Sequence, residues 1–191
     1  MIETNRIEIL NCEKVLRSGG ILLYLTDTIW GIGCDATQEK AVNKIYRIKQ
    51  RNPDSSFIVL IADEDQLSDY VENVPLVAYD LIRAVDKPLT IVYPEGKNVA
   101  SNVIGKDGSL AIRIVKSEFC KELIRSFGKP IVSTSANVSG ESNPTTFSSI
   151  SPKIISEVDH IAIQANNPFM EVKQSRIIKI EKNGMFTVLR D

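Results

Sequence analysis

Six consecutive apolar residues, Phe57-Ile58-Val59-Leu60-Ile61-Ala62, constrain the fold of this chain more than any other stretch. The run has strand length, and an unbroken apolar strand must be covered on both faces. That places it centrally in a sheet with helices packed against it. The flanking sequence supplies such helices. Residues 11–18 read as a short amphipathic helix with Gly19-Gly20 as its exit, and 38–50 carry Ala41, Val42, Ile45 and Ile48 at helical spacing. Further helices are predicted at 63–71, 74–85, 117–126 and 147–158. Strands are predicted at 21–25, 89–93, 109–115, 131–134, 160–164, 176–180 and 186–189, the last two joined by Asn183-Gly184, a two-residue hairpin signal. The predicted class is α/β: a twisted, mixed parallel and antiparallel sheet with flanking helices.

The 191 residues have the size of one domain, predicted to span 1–191, and no Pro/Gly/Ser-rich linker or repeat divides them. With 23 basic against 24 acidic residues, a generally basic nucleic-acid-binding surface is not expected, although a local patch stays open. No apolar run approaches the roughly 20 residues of a membrane span. The first six residues show no secretory apolar region. Cys12, Cys34 and Cys120 are scattered without a CxxC pattern and fit reduced, buried thiols. A soluble, cytoplasmic protein with no membrane partner is expected.

Several chemistries are excluded early. Neither GxxxxGK[ST] nor GxGxxG occurs, so a P-loop and a dinucleotide fingerprint are both unsupported. The single histidine, His160, lies in an apolar stretch and is read as a structural or surface residue. A histidine triad or multi-histidine metal centre is therefore not predicted, and no protein metal ligand is assigned. An enzyme built on this sequence must work by binding and orienting charged reactants.

Four segments can do so. Tyr24 to Asp35 runs from a strand end through Thr26-Asp27-Thr28 to Gly31-Ile32-Gly33, either an ordinary strand-turn-strand or a loop closing on a polar ligand. Lys49 and Arg51 follow a helix and precede a proline loop; they suit either the helix dipole or a polyphosphate clamp. Arg113 lies inside an apolar strand, where its charge needs either a buried ion pair or an anionic ligand. Ser133-Thr134-Ser135-Ala136-Asn137 follows a buried strand with small hydroxyl and amide groups suited to phosphate or nucleoside contacts.

In this order the segments resemble the YrdC/YciO family, whose enzymatic members are threonylcarbamoyl-AMP synthases. Leu25-Thr26-Asp27-Thr28-Ile29-Trp30-Gly31-Ile32-Gly33 resembles its opening signature, Lys49-Gln50-Arg51 its K-x-R motif and Ser135-Ala136-Asn137 its S-x-N motif. The resemblance covers roughly residues 19–190. It implies a YrdC-like fold around a concave, locally positive cavity. It also implies a nucleotidyltransferase that joins L-threonine, bicarbonate and ATP, with Mg²⁺, into threonylcarbamoyl-AMP and pyrophosphate. Partner proteins would then use the product in tRNA modification. By resemblance, Lys49 and Arg51 are catalytic and Thr28, Arg113, Ser133 and Ser175 bind threonine. Arg51, Ser55, Ser109, Ser135, Asn137, Asn143 and Arg190 bind ATP.

The family also admits a non-catalytic, YciO-like paralogue that binds double-stranded RNA or the ribosome, and direct contact with tRNA. A carbamoyl-adenylate chemistry like that of NiFe-hydrogenase maturation is a third reading. The chain departs from the family pattern at Leu25, Trp30, Asn52 and Val115. Leu60 stands where many longer members carry a histidine facing threonine.

Overall fold

The computed structural model describes residues 2–52, 54–163 and 174–191. In chain order the elements are α1 (Ile2–Arg17), β1 (Leu22–Leu25), β2 (Trp30–Asp35), α2 (Glu39–Lys49), β3 (Ile58–Ile61), α3 (Leu67–Tyr70), α4 (Leu76–Ala84), β4 (Leu89–Tyr93), β5 (Leu110–Ile114), α5 (Glu118–Phe127), β6 (Ile131–Ser135), α6 (Pro152–Glu157), β7 (His160–Ile161), β8 (Arg176–Ile180) and β9 (Phe186–Arg190). Among the described residues the strands form one sheet in the order β7-β1-β2-β6-β3-β5-β4-β8-β9. The apolar run 57–62 is its middle strand: β3 pairs antiparallel with β6 and parallel with β5. The mixed α/β class holds.

Strand alternation divides the side chains between two faces. One face carries Leu23, Ile32, Val132, Val59, Ile61, Ile112, Ile91 and Ile178, and packs with Ala41, Val42, Ile45 and Ile48 of α2 and Ile154 of α6 in the larger core. On the other face, Leu22, Tyr24, Ile131 and Leu60 lie beneath α1 and α5, meeting Ile9, Cys12 and Leu16 from the first helix and Phe119, Leu123, Ile124 and Phe127 from the second. That cover is partial. Farther along the same rows stand Gly31, Ser133, Ser135, Ala111 and Arg113, and a cavity opens over them.

The structure revises several predicted boundaries. The first helix spans Ile2–Arg17 rather than 11–18. Its apolar pattern is masked because Glu8 is buried while Ile7 and Leu10 are exposed. The stretch 63–71 splits into a 3-10 turn, Glu64–Gln66, and α3, because Asp63 and Gln66 form a reciprocal capping box. The stretch 147–158 divides into a 3-10 turn, Phe147–Ser149, and α6, which restarts with Ser151 as N-cap and Pro152 at its first position.

The strand β2 is not among the predicted strands, since its glycines hide it. A Cβ at Gly33 would lie 2.5 Å from the Val132 carbonyl oxygen and 2.8 Å from the Tyr24 hydroxyl, so close packing requires glycine there. The final hairpin has three turn residues, not two: Glu181 N donates to Met185 O, and Gly184 takes the left-handed position with φ of 84°. The predicted strand 160–164 ends at Ile161, and Gln164 lies outside the described residues. All three cysteines are free and buried. No helix among the described residues is long and apolar enough to cross a membrane.

Candidate active site

The uncovered part of the sheet face forms a cavity of about 340 Å³. Its floor exists because residues without bulk sit in register there: Gly31 opposite Ser135, and Ser133 and Ala111 on either side of Ile58. The β1–β2 turn builds one wall. Thr26 knits that turn together, its hydroxyl accepting from Thr28 N (3.1 Å) and donating to Ile29 O (2.9 Å). The opposite side is closed by Ser175, Leu189 and Arg190, and the loop after α2 contributes Arg51, Ser56 and Phe57.

Arg113 rises from β5 and is 5% exposed. One terminal nitrogen donates to Thr28 Oγ1 at 3.1 Å, and the other lies 3.3 Å from Asp27 Oδ1. Asp27 in turn accepts from Lys116 N through Oδ2. The guanidinium keeps a buried Nε without a hydrogen-bond partner, a donor that an anionic oxygen would satisfy. The strand arginine thus has an internal ion pair and also lines the cavity.

Arg190 donates from Nε and a terminal nitrogen to Ser175 O at 3.0 and 2.8 Å, and Ser175 Oγ bonds Thr90 Oγ1 at 2.8 Å. Burial lowers the pKa of Arg190, and so does the nearby charge of Arg113. Arg51 stacks over the Phe57 ring at 5.1 Å and donates to Ser56 O at 3.0 Å; burial lowers its pKa too. Among the described residues, three arginines and no carboxylate line the cavity. Mutually repelling cations beside hydroxyls make a site for a polyanion.

The structure thus brings together Thr28, Arg51, Arg113, Ser133, Ser135, Ser175 and Arg190. It places five other predicted residues off the lining. Lys49, catalytic by resemblance, is 1% exposed and lies behind the lining rather than in it. Its ammonium donates to Ser135 O (2.6 Å), Asn137 O (2.7 Å) and Asn137 Oδ1 (3.1 Å), and burial, then Arg51, lowers its pKa to about 8. Gln50 ends α2 in the left-handed region with φ of 49°, which turns Lys49 inward and Arg51 toward the cavity.

Asn137 is buried beside Lys49, and its amide donates to Glu141 O. Ser55 offers its carbonyl to Tyr46 and Arg51, Ser109 donates to Asp107 at 2.6 Å, and Asn143 is half-buried in the loop after β6. Leu60 is fully buried under α1 and α5 although it is in register with Arg113. Sequence reasoning did not assign Thr26, Ser56 or Gln174 to the lining, nor Asp27 to its support. Only the position of Thr26 and Asp27 within the opening signature signalled them.

The sequence matches the family model Sua5/YciO/YrdC, described as "Telomere recombination", over residues 14–191. It is 32% identical over 154 residues to a threonylcarbamoyl-AMP synthase of Xanthomonas oryzae pv. oryzae, covering 79% of this chain and 82% of that one. The structure of P. abyssi Sua5 complexed with L-threonine is similar with a TM-score of 0.83 at 28% identity. That match covers 95% of this chain and 53% of the other, so the present chain spans about half the length of that relative. E. coli YciO has the same fold, with a TM-score of 0.83 at 23% identity over 98% of this chain and 89% of its own.

Proposed function

This chain belongs to the Sua5/YciO/YrdC family, and from that premise we propose that it is a threonylcarbamoyl-AMP synthase acting on L-threonine, bicarbonate and ATP. The observation that carries the reading is the convergence of Arg51, Arg113 and Arg190 on one cavity lined by no described carboxylate. The reaction needs such a site. Threonine's amine and bicarbonate form a carbamate with loss of water. A carbamate oxygen then attacks the α-phosphorus of ATP, the bond to the β-phosphate bridging oxygen breaks, and pyrophosphate leaves with the electron pair. Every reactant carries negative charge, so fixed cations offset the repulsion of gathering them.

In this reading Arg113 and Thr28 receive the threonine carboxylate and hydroxyl end, supported by Ser133 and Ser175. Arg51, Arg190 and Ser135 face the nucleotide. Lys49 and Asn137 act from behind the wall by fixing the loop that presents Ser135. The described lining offers hydroxyls but no carboxylate, so it does not provide a dedicated Mg²⁺ site, and Mg²⁺ belongs to the substrate as MgATP. Confinement of three small reactants supplies the orientation that a chance encounter lacks. No side-chain nucleophile is required.

The test is mass-spectrometric detection of threonylcarbamoyl-AMP from protein given MgATP, bicarbonate and L-threonine, with each reactant omitted in turn. A product peak that requires all of them supports the assignment. Folded protein that binds ATP yet forms no such peak overturns it.

A further inference from the structure

The cavity uses neither the single histidine nor any cysteine, and two of these residues meet elsewhere. Glu8 and Cys12 are four residues apart on α1 and share one face of the helix. Parallel pairing of β7 with β1 brings His160 against that face. Glu8 Oε1 lies 2.7 Å from His160 Nε2 and 3.9 Å from Cys12 Sγ, and also accepts from Ile163 N at 3.0 Å. The three donor atoms all lie within 4.8 Å of one another. Cys12 is wholly buried and Glu8 nearly so, while the His160 side chain is 28% exposed.

We propose that Glu8, Cys12 and His160 form a binding site for one Zn²⁺ ion, with water reaching a fourth position past the partly exposed histidine. One sulfur, one nitrogen and one oxygen donor suit zinc, whereas Mg²⁺ takes oxygen donors in octahedral geometry. Zinc bonds of about 2.0–2.3 Å at tetrahedral angles put neighbouring donors roughly 3.3–3.7 Å apart. The Glu8–Cys12 separation is close to that, and the Glu8–His160 contact has only to open by less than about 1 Å.

Charge and protons balance. Cys12 is a thiol in the metal-free chain, pushed up to about 12 by burial and by the Glu8 carboxylate. On coordination its proton passes to solvent. His160 binds through Nε2 and keeps its remaining proton on Nδ1. One thiolate and one carboxylate then neutralise the dication. The ion would clamp the first helix to an edge strand, outside the cavity lining, and act on stability rather than on turnover.

The experiment is titration of the chelator-treated full chain with Co²⁺ as a spectroscopic probe. One equivalent is expected to give thiolate-to-cobalt charge-transfer absorption together with intense tetrahedral d–d bands, both displaced by Zn²⁺. Cys12→Ser should abolish the charge-transfer absorption, whereas Cys34→Ser and Cys120→Ser should retain it. If Cys12→Ser does not fold, His160→Ala, at a partly exposed position, should weaken cobalt binding and leave synthase turnover unchanged. Absence of charge-transfer absorption at one equivalent of cobalt overturns the site, as does a band that survives Cys12→Ser or cobalt binding unaffected by His160→Ala.

Discussion

The Lys49 ammonium lies 2.7 Å from the backbone oxygen of Asn137 and 3.1 Å from its side-chain oxygen. The lysine of the K-x-R segment is thereby tied to the asparagine of the S-x-N segment, and Ser139 N returns the tie by donating to Lys49 O at 2.9 Å. Two motifs 86 residues apart, counted from Lys49 to Ser135, are one structural unit.

Lys49→Met and Arg51→Ala should accordingly behave differently. The first leaves the Ser135 and Asn137 carbonyls without their donor, at about 1–3 kcal/mol for each buried acceptor left unpaired. It should lower the urea midpoint and, through Ser135, weaken ATP use. Arg51→Ala gives up a cation–π contact of about 0.5–1 kcal/mol and an exposed hydrogen bond to the Ser56 carbonyl that water can replace, so its stability should change little. Its KM for ATP should rise about 10–100-fold, the equivalent of one charge-assisted hydrogen bond of about 1.5–3 kcal/mol. Paired denaturation and kinetic curves check both expectations.

Lys49 also sets a pH dependence. Its folded pKa is about 8 against the ordinary 10.5, because burial and Arg51 disfavour the charged form. Between those values the unfolded chain binds the proton more tightly, so the contribution of this group to stability rises as pH climbs from about 8 toward 10.5. The buried thiols Cys12, Cys34 and Cys120, whose pKa values burial raises, cost stability across the same window. The Lys49 contribution is therefore read as a difference: the urea midpoint of the native chain minus that of Lys49→Met should increase from about pH 8 toward 10.5.

Arg113 and Asp27 make a buried pair, so removing one partner strands the other. Arg113→Met should destabilise by about 3–5 kcal/mol, and addition of Asp27→Asn should recover much of that loss. The recovered double variant should still need far more threonine, because the substrate-facing donor is gone. Equal threonine dependence in the native chain and the double variant would remove Arg113 from the threonine site. Asp27→Asn alone should raise the KM for threonine by loosening the arginine, with a smaller effect on ATP.

Gly33→Ala places a methyl group 2.5 Å from the Val132 carbonyl oxygen. Overpacking of this kind costs about 1–3 kcal/mol. Gly140→Ala is its control: that glycine has φ of 90° with nothing within 4 Å of the added carbon, so backbone conformation is its only strain. Thermal midpoints should separate the two, with Gly33→Ala the lower and the rim of the cavity disturbed through β2.

Much of this protein was determined by local sequence. The uninterrupted apolar run 57–62 demanded a strand covered on both sides, and β3 lies fifth among the nine strands of the described residues. The spacing of Ala41, Val42, Ile45 and Ile48 demanded a helix, and Ser151-Pro152 marks where another begins. These features are legible because periodicity and backbone chemistry act over a few residues. The arginine in an apolar strand announced a buried partner or ligand for the same reason.

What the tertiary structure decided is the direction in which charges face. Nothing near Lys49 in the sequence shows that carbonyls 86 and 88 residues away will take its ammonium, or that Arg51 will turn to the cavity instead. Glu8 looks like a solvent residue that interrupts an apolar helix until β7 brings His160 against it. Gly33 reads as a turn until Tyr24 and Val132 close over it. In each case the deciding energy is desolvation, and desolvation is set by what strand pairing and helix packing bring from distant parts of the chain.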